Sequence, residues 1–279
     1  MSQDIRITVL VEDTVYQSGL LAEHGLSFWI EYEDHTILFD TGQTDILMHN
    51  AHALGIDLSR ADAVVLSHGH YDHTGGLGAV LDLSSQTLVY CHSQCLEPKY
   101  RIYNNTPKNI GTPSVVKEKL LLVECQGRLH RTNQVTEIVP GATVTGVIPR
   151  KHAYEQGIGG FYLDRECQIP DPIDDDQALF IDTDHGVVVI LGCAHAGVVN
   201  TLDYVLGLLE DRKIHAVIGG MHLLGVGPDR LSETLAAFQN MNIQVIAPGH
   251  CTGPNAIRIF TDTLSNRCVP CSTGTVIEL

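Results

Sequence analysis

The stretch that decides the fold is His68-Gly69-His70-Tyr71-Asp72-His73, which directly follows the apolar residues 63–66. A strand that runs into a tight loop can direct His68 and His70 to the same side, because side chains two apart share a face. The loop then carries the remaining carboxylate and imidazole towards a second point nearby. Imidazole and carboxylate together suit zinc, iron or manganese, and two adjacent groups suit a dinuclear site. The stretch therefore predicts a metal centre at the end of a buried strand.

The length and composition of the chain permit a large hydrophobic core. It has 279 residues, of which 44% are hydrophobic, so it needs no disulfides to fold. No Ser/Gly tract, low-complexity run or long block of charge divides it. We therefore expect residues 1–279 to form a single domain.

The net charge of −16 argues against a nucleic acid as partner. Bound divalent cations would offset part of this charge locally, so a small anionic substrate is compatible with it. The modest candidates for a basic patch are Lys99, Arg101, Arg150 and Lys151. Three of these are candidates for gripping a substrate phosphate: Arg101, Arg150 and Lys151.

We expect neither a signal peptide for export nor a membrane-spanning segment in this chain. Its N-terminal apolar run is too short for a signal peptide, and no stretch approaches the roughly 20 apolar residues of a membrane span. The eight cysteines are therefore expected to be reduced thiols in a cytoplasmic protein. Cys268 and Cys271 have the spacing of a zinc or redox pair, and this alternative stays open. The oligomeric state cannot be read from the sequence.

Short β-branched runs alternate with segments of helical periodicity. Strands are predicted at residues 7–11, 28–32, 36–39, 63–66, 87–90, 178–181, 186–191, 216–218, 245–247 and 275–279. Helices are predicted at residues 44–54, from 77 onward, and around 198–209, 231–241 and 256–264. Two strand-rich halves flanked by helices indicate two sheets face to face with helices outside, a four-layer αββα sandwich. Residues 98–113 lack periodicity and are predicted to be an irregular segment, either a lid over the metal site or a poorly ordered loop.

Three histidines farther along the chain repeat one arrangement. His195, His222 and His250 each follow an apolar strand and a glycine-containing turn. Small residues before a histidine allow backbone and side chain to crowd a metal. These three histidines are therefore candidates to complete the site.

Several acidic residues are candidates for supporting roles. Asp40 ends a predicted strand, where it can orient a ligand imidazole through the other ring N–H or simply cap a turn. Asp175 lies in an acidic run that precedes a predicted strand. It is either part of a solvated loop or an alternate metal ligand.

The motifs together resemble the metallo-β-lactamase superfamily. The resemblance is carried by the six-residue stretch, by Leu38-Phe39-Asp40-Thr41-Gly42 and by Pro248-Gly249-His250. It implies the αββα fold with two divalent metal ions, zinc first and manganese or iron as alternatives. Gly192-Cys193-Ala194-His195 and Gly219-Gly220-Met221-His222 resemble a subgroup labelled 7,8-dihydropterin-6-methyl-4-(β-D-ribofuranosyl)aminobenzene-5′-phosphate synthase-like hydrolases, which implies a pterin and a phosphate ester.

One position departs from the superfamily pattern. Most members carry Gly-Asp after the hairpin strand, and the carboxylate bridges the two metals, whereas this chain has Gly192-Cys193. Either Cys193 supplies a thiolate or His195 takes over as ligand, and His195 is favoured. The resulting assignment gives one metal to His68, His70 and His195, and the other to Asp72, His73 and His250. His222 is assigned to the substrate or to proton transfer.

These residues predict a metal-dependent hydrolase that uses a metal-bound hydroxide on a small phosphate-bearing or cyclic ester substrate. Asp72 is expected to orient the hydroxide and His222 to protonate the leaving oxygen. The alternatives are an iron-bound oxidoreductase or dioxygenase on the same fold, and a metal-dependent binding or sensor protein.

Overall fold

The computed structural model describes residues 5–156, 159–210 and 212–279. The chain divides into two compact units. Unit 1 comprises Met1–Asn133, Gly159–Asp175 and Ser272–Leu279, and unit 2 comprises Gln134–Ile158 and Asp176–Cys271. Each unit contains its own large sheet. The assignment of residues 1–279 to a single domain stays a prediction.

The secondary structure is mixed α/β. The strands are β1 (Ile5–Val11), β2 (Ser27–Tyr32), β3 (His35–Phe39), β4 (Ala63–Val65), β5 (Leu88–Cys91), β6 (Tyr100–Tyr103), β7 (Thr106–Asn109), β8 (Leu129–Arg131), β9 (Thr136–Val139), β10 (Ala142–Val144), β11 (Phe161–Tyr162), β12 (Leu179–Thr183), β13 (Gly186–Leu191), β14 (Ile214–Gly220), β15 (Val245–Gly249) and β16 (Val276–Glu278). The α-helices are α1 (Ile46–Ala53), α2 (Tyr71–Thr74), α3 (Leu77–Leu83), α4 (Ser114–Cys125), α5 (Val198–Leu208), α6 (Pro228–Asn240) and α7 (Pro254–Leu264). Among the described residues, no helix combines the length and apolar character needed to cross a membrane.

The large sheet of unit 1 has the strand order β16-β1-β2-β3-β4-β5-β8. Strands β1 to β3 form an antiparallel meander, and β3, β4, β5 and β8 run parallel. Apolar residues of α1, α3 and α4 form one core with this sheet, among them Leu47, Val80 and Leu120. Because parallel strands end at the same edge of a sheet, β3 and β4 bring Asp40 and Ser67 to neighbouring positions.

The sheet of unit 2 has the order β15-β14-β13-β12-β10-β9, and β13, β14 and β15 are parallel neighbours. All six residues of β13 are buried, as expected for a parallel strand rich in Val, Ile and Leu. Helices α5, α6 and α7 cover this sheet through Leu202, Phe238 and Phe260. The loops that follow the three parallel strands therefore leave one edge of the sheet.

The segment of residues 98–113 corrects the sequence-based prediction. It is not irregular, because β6 and β7 form an antiparallel hairpin that continues into β11. Asn104 and Asn105 make the tip with φ angles of 48° and 57°, which is the geometry of the type I′ turn that tightly connected strands prefer. The Asn-Asn pair was the signal available in the sequence. A role as a lid stays a prediction.

The other predicted strands are confirmed, and each ends within two residues of its predicted bounds. Helices α1, α3, α5, α6 and α7 are confirmed as well. Helices α2 and α4 and the short strands β8 to β11 were not predicted, and the residues of α2 were expected to lie in a loop. Strand β8 has only three residues and none of them is fully buried, so its sequence carries little of the alternation that identifies a strand.

A buried asparagine ties α1 to the rest of unit 1. The Asn50 side chain is fully buried, and its Nδ2 donates to the carbonyl oxygens of Leu10 and Leu21, both at 2.8 Å. Its Oδ1 accepts from the Leu21 N–H at 2.9 Å. One amide thus satisfies three backbone groups, and α1 is fixed beside β1.

We expect Asn50→Ala to lower the free energy of unfolding by about 3 kcal/mol, because it leaves buried backbone groups without partners. Denaturant unfolding followed by circular dichroism measures this change. Asn255→Ala is the matched control, since Asn255 is exposed and its loss should cost less than about 0.5 kcal/mol. Equal effects of the two substitutions would contradict the assignment.

Candidate metal centre

The carboxylate of Asp40 organises residues 68–73 of unit 1, which we call the histidine loop. It accepts hydrogen bonds from the Ser67 N–H at 2.7 Å, from the Ser67 hydroxyl at 2.6 Å and from His73 Nδ1 at 2.7 Å. Asp40 is fully buried and has a φ of 58°, a left-handed conformation that aspartate tolerates better than most residues. The predicted role of Asp40 in orienting a ligand imidazole requires this arrangement.

These hydrogen bonds determine which ring nitrogens carry protons. A carboxylate only accepts, so His73 Nδ1 is the donor and His73 Nε2 keeps its lone pair. The Ser67 hydroxyl gives its proton to Asp40, so its oxygen accepts from His68 Nδ1, 2.9 Å away. His68 Nε2 therefore also keeps its lone pair. One buried carboxylate thus sets both imidazoles in a tautomer that suits a metal ligand.

His70 adds a third imidazole to this group. Its Nδ1 lies 2.8 Å from His68 Nε2, and the His68 and His73 rings are 4.3 Å apart. Two nitrogens bound to one zinc ion at about 2.1 Å lie about 3.4 Å apart in tetrahedral geometry. Unit 1 thus brings together the three histidines of the six-residue stretch.

Asp72 has a partner that the sequence analysis missed. Its Oδ2 lies 3.8 Å from His73 Nε2 and 3.2 Å from Nε2 of His24, whose Nδ1 lies 3.0 Å from Asp13 Oδ2. No local motif surrounds His24. The only hint is the following Gly25, because a Cβ there would lie 2.7 Å from the Asp72 carbonyl oxygen.

The Asp175 carboxylate holds the backbone of the histidine loop in place. Its Oδ2 accepts from the Gly69 N–H at 2.7 Å, between the two first histidines, and its Oδ1 accepts from Lys99 Nζ at 2.8 Å. Lys99 Nζ also donates to Asp171 at 3.0 Å. Asp175 is fully buried, so the interpretation as part of a solvated loop is wrong, and its role as an alternate metal ligand stays a prediction.

Lys99 is not part of a basic patch, and that prediction is wrong. Its side chain is 1% exposed. Burial alone lowers the pKa of the Lys99 ammonium, but the Asp175 and Asp171 carboxylates more than offset this and raise its pKa. The Lys99 ammonium therefore forms ion pairs with buried carboxylates inside the fold.

Unit 2 gathers a second group of metal-binding side chains. The ligand atoms of Cys193, His195 and His222 lie within 4.8 Å of one another, and so do those of Cys193, His250 and Cys251. These residues follow β13, β14 and β15, whose ends are adjacent because the strands are parallel. Donors of one tetrahedral zinc ion at about 2.0–2.3 Å lie about 3.3–3.8 Å apart, which falls inside this 4.8 Å limit.

The loops of unit 2 are strained and closely packed. Ala194, His222 and His250 have φ angles of 53°, 48° and 50°, and each costs of order 1–2 kcal/mol relative to ordinary backbone. A Cβ at Gly220 would lie 2.3 Å from the Gly192 carbonyl oxygen and 2.7 Å from Cys251 Sγ. The predicted need for small residues before the histidines is thus explained by close backbone approach.

The Cys251 thiol connects the three loops. It donates to the Cys193 carbonyl oxygen at 3.5 Å and accepts from the His222 N–H at 3.3 Å. Burial alone would raise its pKa, but the hydrogen bonds from Cys193 and His222 and the nearby His250 lower it well below the ordinary value. The sequence analysis did not single it out, although it directly follows His250.

The predicted substrate-binding cations lie in both units. Arg101 is on β6 in unit 1, with its guanidinium over the Phe161 ring at 5.0 Å. Arg150 and Lys151 are exposed residues of unit 2, and the Lys151 N–H donates to Asn200 Oδ1 at 2.7 Å. Cys268 is half-buried, Cys271 is buried, and both are free thiols.

The donors in each unit fit a divalent metal by their chemistry. Unit 1 offers imidazole nitrogens whose tautomers are fixed by Asp40, with the carboxylate of Asp72 nearby. Unit 2 offers imidazoles and thiols. Neutral imidazole, carboxylate and thiolate are all zinc ligands. The division of these residues between two ions stays a prediction.

The sequence pattern of the metallo-β-lactamase superfamily matches residues 21–205. This match spans more than half of the chain, so the protein belongs to the metallo-β-lactamase superfamily. The predicted family and its α/β fold are confirmed. At this level the protein is a metal-dependent hydrolase-like member of the superfamily.

Individual relatives cover almost the whole chain. The 7,8-dihydropterin-6-methyl-4-(β-D-ribofuranosyl)-aminobenzene-5′-phosphate synthase of Methanocaldococcus jannaschii is 30% identical over 99% of this chain and 97% of its own. An uncharacterised protein of the same archaeon is 32% identical over 90% of this chain and 92% of its own. The crystal structure of Tm1679, a metal-dependent hydrolase of the β-lactamase superfamily, superposes with a TM-score of 0.81 at 30% identity and covers 99% of both chains.

We expect Asp40→Asn to weaken metal binding about 10–100-fold, because it removes the charge that orients the His73 imidazole. Competition with a chromophoric chelator measures the dissociation constant. Asp62→Asn, at an exposed position of the same unit, is the control and should leave the affinity unchanged. An unchanged affinity in Asp40→Asn would show that the carboxylate does not support a metal ligand.

We expect Lys99→Met to destabilise the protein by about 3–5 kcal/mol, because it leaves two buried carboxylates without their counter-charge. Lys119→Met is the matched control. It breaks the exposed pair with Asp82 and should cost less than about 1 kcal/mol. Chemical denaturation compares the two variants, and a cost for Lys99→Met as small as the control's would contradict the buried ion-pair assignment.

Proposed function

We propose that the protein is a dinuclear metal-dependent hydrolase of small phosphate-bearing or cyclic ester substrates, with zinc as the first candidate metal and manganese or iron as alternatives. The observation that carries this proposal is the arrangement around Asp40, in which one buried carboxylate fixes the tautomers of His68 and His73. A buried carboxylate that fixes the ring orientation of neighbouring imidazoles is the arrangement that commonly supports metal-ligating histidines.

The proposed ligands in unit 1 are His68, His70, Asp72 and His73. In unit 2 they are His195 and His250, with Cys193 as the alternate ligand. When bound, divalent ions lower the pKa of water to near 7 and stabilise developing negative charge on oxygen. The remaining chemistry falls to side chains of this chain.

Two residues are proposed to handle protons. The Asp72 carboxylate is the acceptor that orients the attacking water, and His24, 3.2 Å from it, holds that carboxylate in place. His222 is proposed to donate a proton to the leaving oxygen. Its left-handed φ of 48° is the kind of strain that persists where the surrounding structure fixes a functional side chain.

The substrate class is supported by the family and by one relative. Tm1679 is described as a metal-dependent hydrolase, and the name of the M. jannaschii relative refers to a dihydropterin and a 5′-phosphate. A pterin-related phosphate ester is therefore the first substrate to test. We propose a small anionic molecule as the partner, and neither a nucleic acid nor a membrane.

We expect protein purified without added metal or chelator to contain about two zinc or manganese ions per chain and to hydrolyse an aryl phosphodiester, a pterin phosphate or a lactone. Plasma mass spectrometry and a chromogenic assay measure the two properties. His68→Ala should lose metal, and its kcat/KM should fall at least about a hundredfold. The loss is this large because the substitution removes a proposed metal ligand rather than a residue that only orients a ligand.

His52→Ala is the matched control, because His52 is exposed on α1 in the same unit, and it should keep both metal and activity. Full turnover by metal-depleted His68→Ala would contradict the proposal. Predominantly iron with no hydrolysis would favour the oxidoreductase alternative. Metal without turnover would favour a binding or sensor protein.

A further inference from the structure

One face of the small sheet β11-β6-β7 carries a row of aromatic and cationic side chains. Arg101 lies directly opposite Phe161 on one side and Lys108 on the other, and side chains of directly opposed residues project from the same face. Tyr103, two residues after Arg101, shares that face. The Arg101 guanidinium lies 5.0 Å from the Phe161 ring and 5.5 Å from the Tyr103 ring, and Lys108 Nζ lies 5.4 Å from Tyr103.

The two cations of this row, Arg101 and Lys108, have no anionic partner among the described residues. In the part of the chain that the structure describes, neither the Arg101 guanidinium nor Lys108 Nζ makes an ion pair or hydrogen bond. Like charges directly opposite each other on paired strands are destabilising. A chain with 33 acidic residues against 17 basic ones nevertheless places two cations side by side here.

The row is connected to the histidine loop within unit 1. The Phe161 ring stacks on the His70 ring with centroids 5.3 Å apart and an interplanar angle of 27°. The Arg101 guanidinium carbon, 5.0 Å from the same Phe161 ring, therefore lies no more than about 10 Å from His70. The Tyr71 N–H also donates to the Ile110 carbonyl oxygen at 3.0 Å, so the hairpin is fixed to this loop.

From this geometry we propose that Arg101 and Lys108 form an oxyanion subsite that binds a second anionic group of the substrate, apart from the bond that is cleaved. Stacking of the guanidinium over aromatic rings leaves its N–H edge to bind a carboxylate or phosphate. The substrate is then a molecule that carries a second anionic group apart from the bond that is cleaved. The inference rests on the proposed hydrolase function and adds the residues that select among its substrates.

Two chromogenic phosphodiesters with the same scissile bond test this subsite. One is bis(p-nitrophenyl) phosphate, and the other carries a p-carboxyphenyl group in place of one p-nitrophenyl group. The wild-type holoenzyme should show a KM about tenfold lower for the carboxylated diester, the effect of about one charge-assisted hydrogen bond. Arg101→Gln should reduce this preference to less than about twofold, and Lys108→Gln should reduce it in part.

Stability separates a binding role from a structural one. Lys108→Gln should not lower the unfolding temperature, because it removes one of two opposed like charges. Arg258→Gln, which breaks an exposed pair with Asp262, is the control and should keep the wild-type preference. A wild-type enzyme without preference, or equal losses for both diesters in Arg101→Gln, would overturn the subsite.

A binding measurement keeps the subsite testable if neither diester is hydrolysed. A ligand that binds the folded state raises the unfolding temperature, so both diesters are compared at one concentration by thermal unfolding. A larger shift from the carboxylated diester in the wild type, lost in Arg101→Gln, would support the subsite while contradicting the proposed reaction. Equal shifts would overturn the subsite itself.

Discussion

The buried carboxylate of Asp40 is the interaction on which the histidine loop depends. A buried charge is tolerated only when it is hydrogen-bonded, and Asp40 accepts from Ser67 twice and from His73 once. These bonds join the ends of two neighbouring parallel strands and fix two imidazole tautomers. The left-handed backbone at Asp40 is held by the same contacts, so the strain and the metal-binding geometry have one origin.

Unit 2 uses strand ends in a comparable way. The three parallel strands β13, β14 and β15 consist largely of buried apolar residues. They end in loops where Ala194, His222 and His250 adopt a left-handed backbone conformation. The strain of such residues is of order 1–2 kcal/mol each, and Ala194, Met221 and Leu223 of these loops are buried in the apolar core of unit 2. Cys251 then links the loops through its thiol. In both units, a rigid sheet presents polar side chains that the local backbone would not place there by itself.

The sequence predicted those features that are encoded locally. Runs of Val, Ile and Leu identified the strands of both large sheets, and the six-residue stretch identified a histidine loop after a buried strand. Residues whose roles depend on long-range pairing were missed or misread. His24 meets Asp72 across 48 positions of sequence, and Lys99 is buried only because Asp171 and Asp175 come to it. The β6-β7 hairpin was missed because its exposed strands lack a buried face and therefore a hydrophobic alternation.

The proposed hydrolase function requires that the histidine loop of unit 1 binds a metal ion. The most direct measurement is an anomalous difference map, collected at the absorption edge of the metal found in the purified protein. The account predicts metal density about 2.0–2.1 Å from imidazole nitrogens of His68, His70 and His73. Density confined to other residues, such as the Cys268 and Cys271 thiols, with none at these imidazoles, would contradict it.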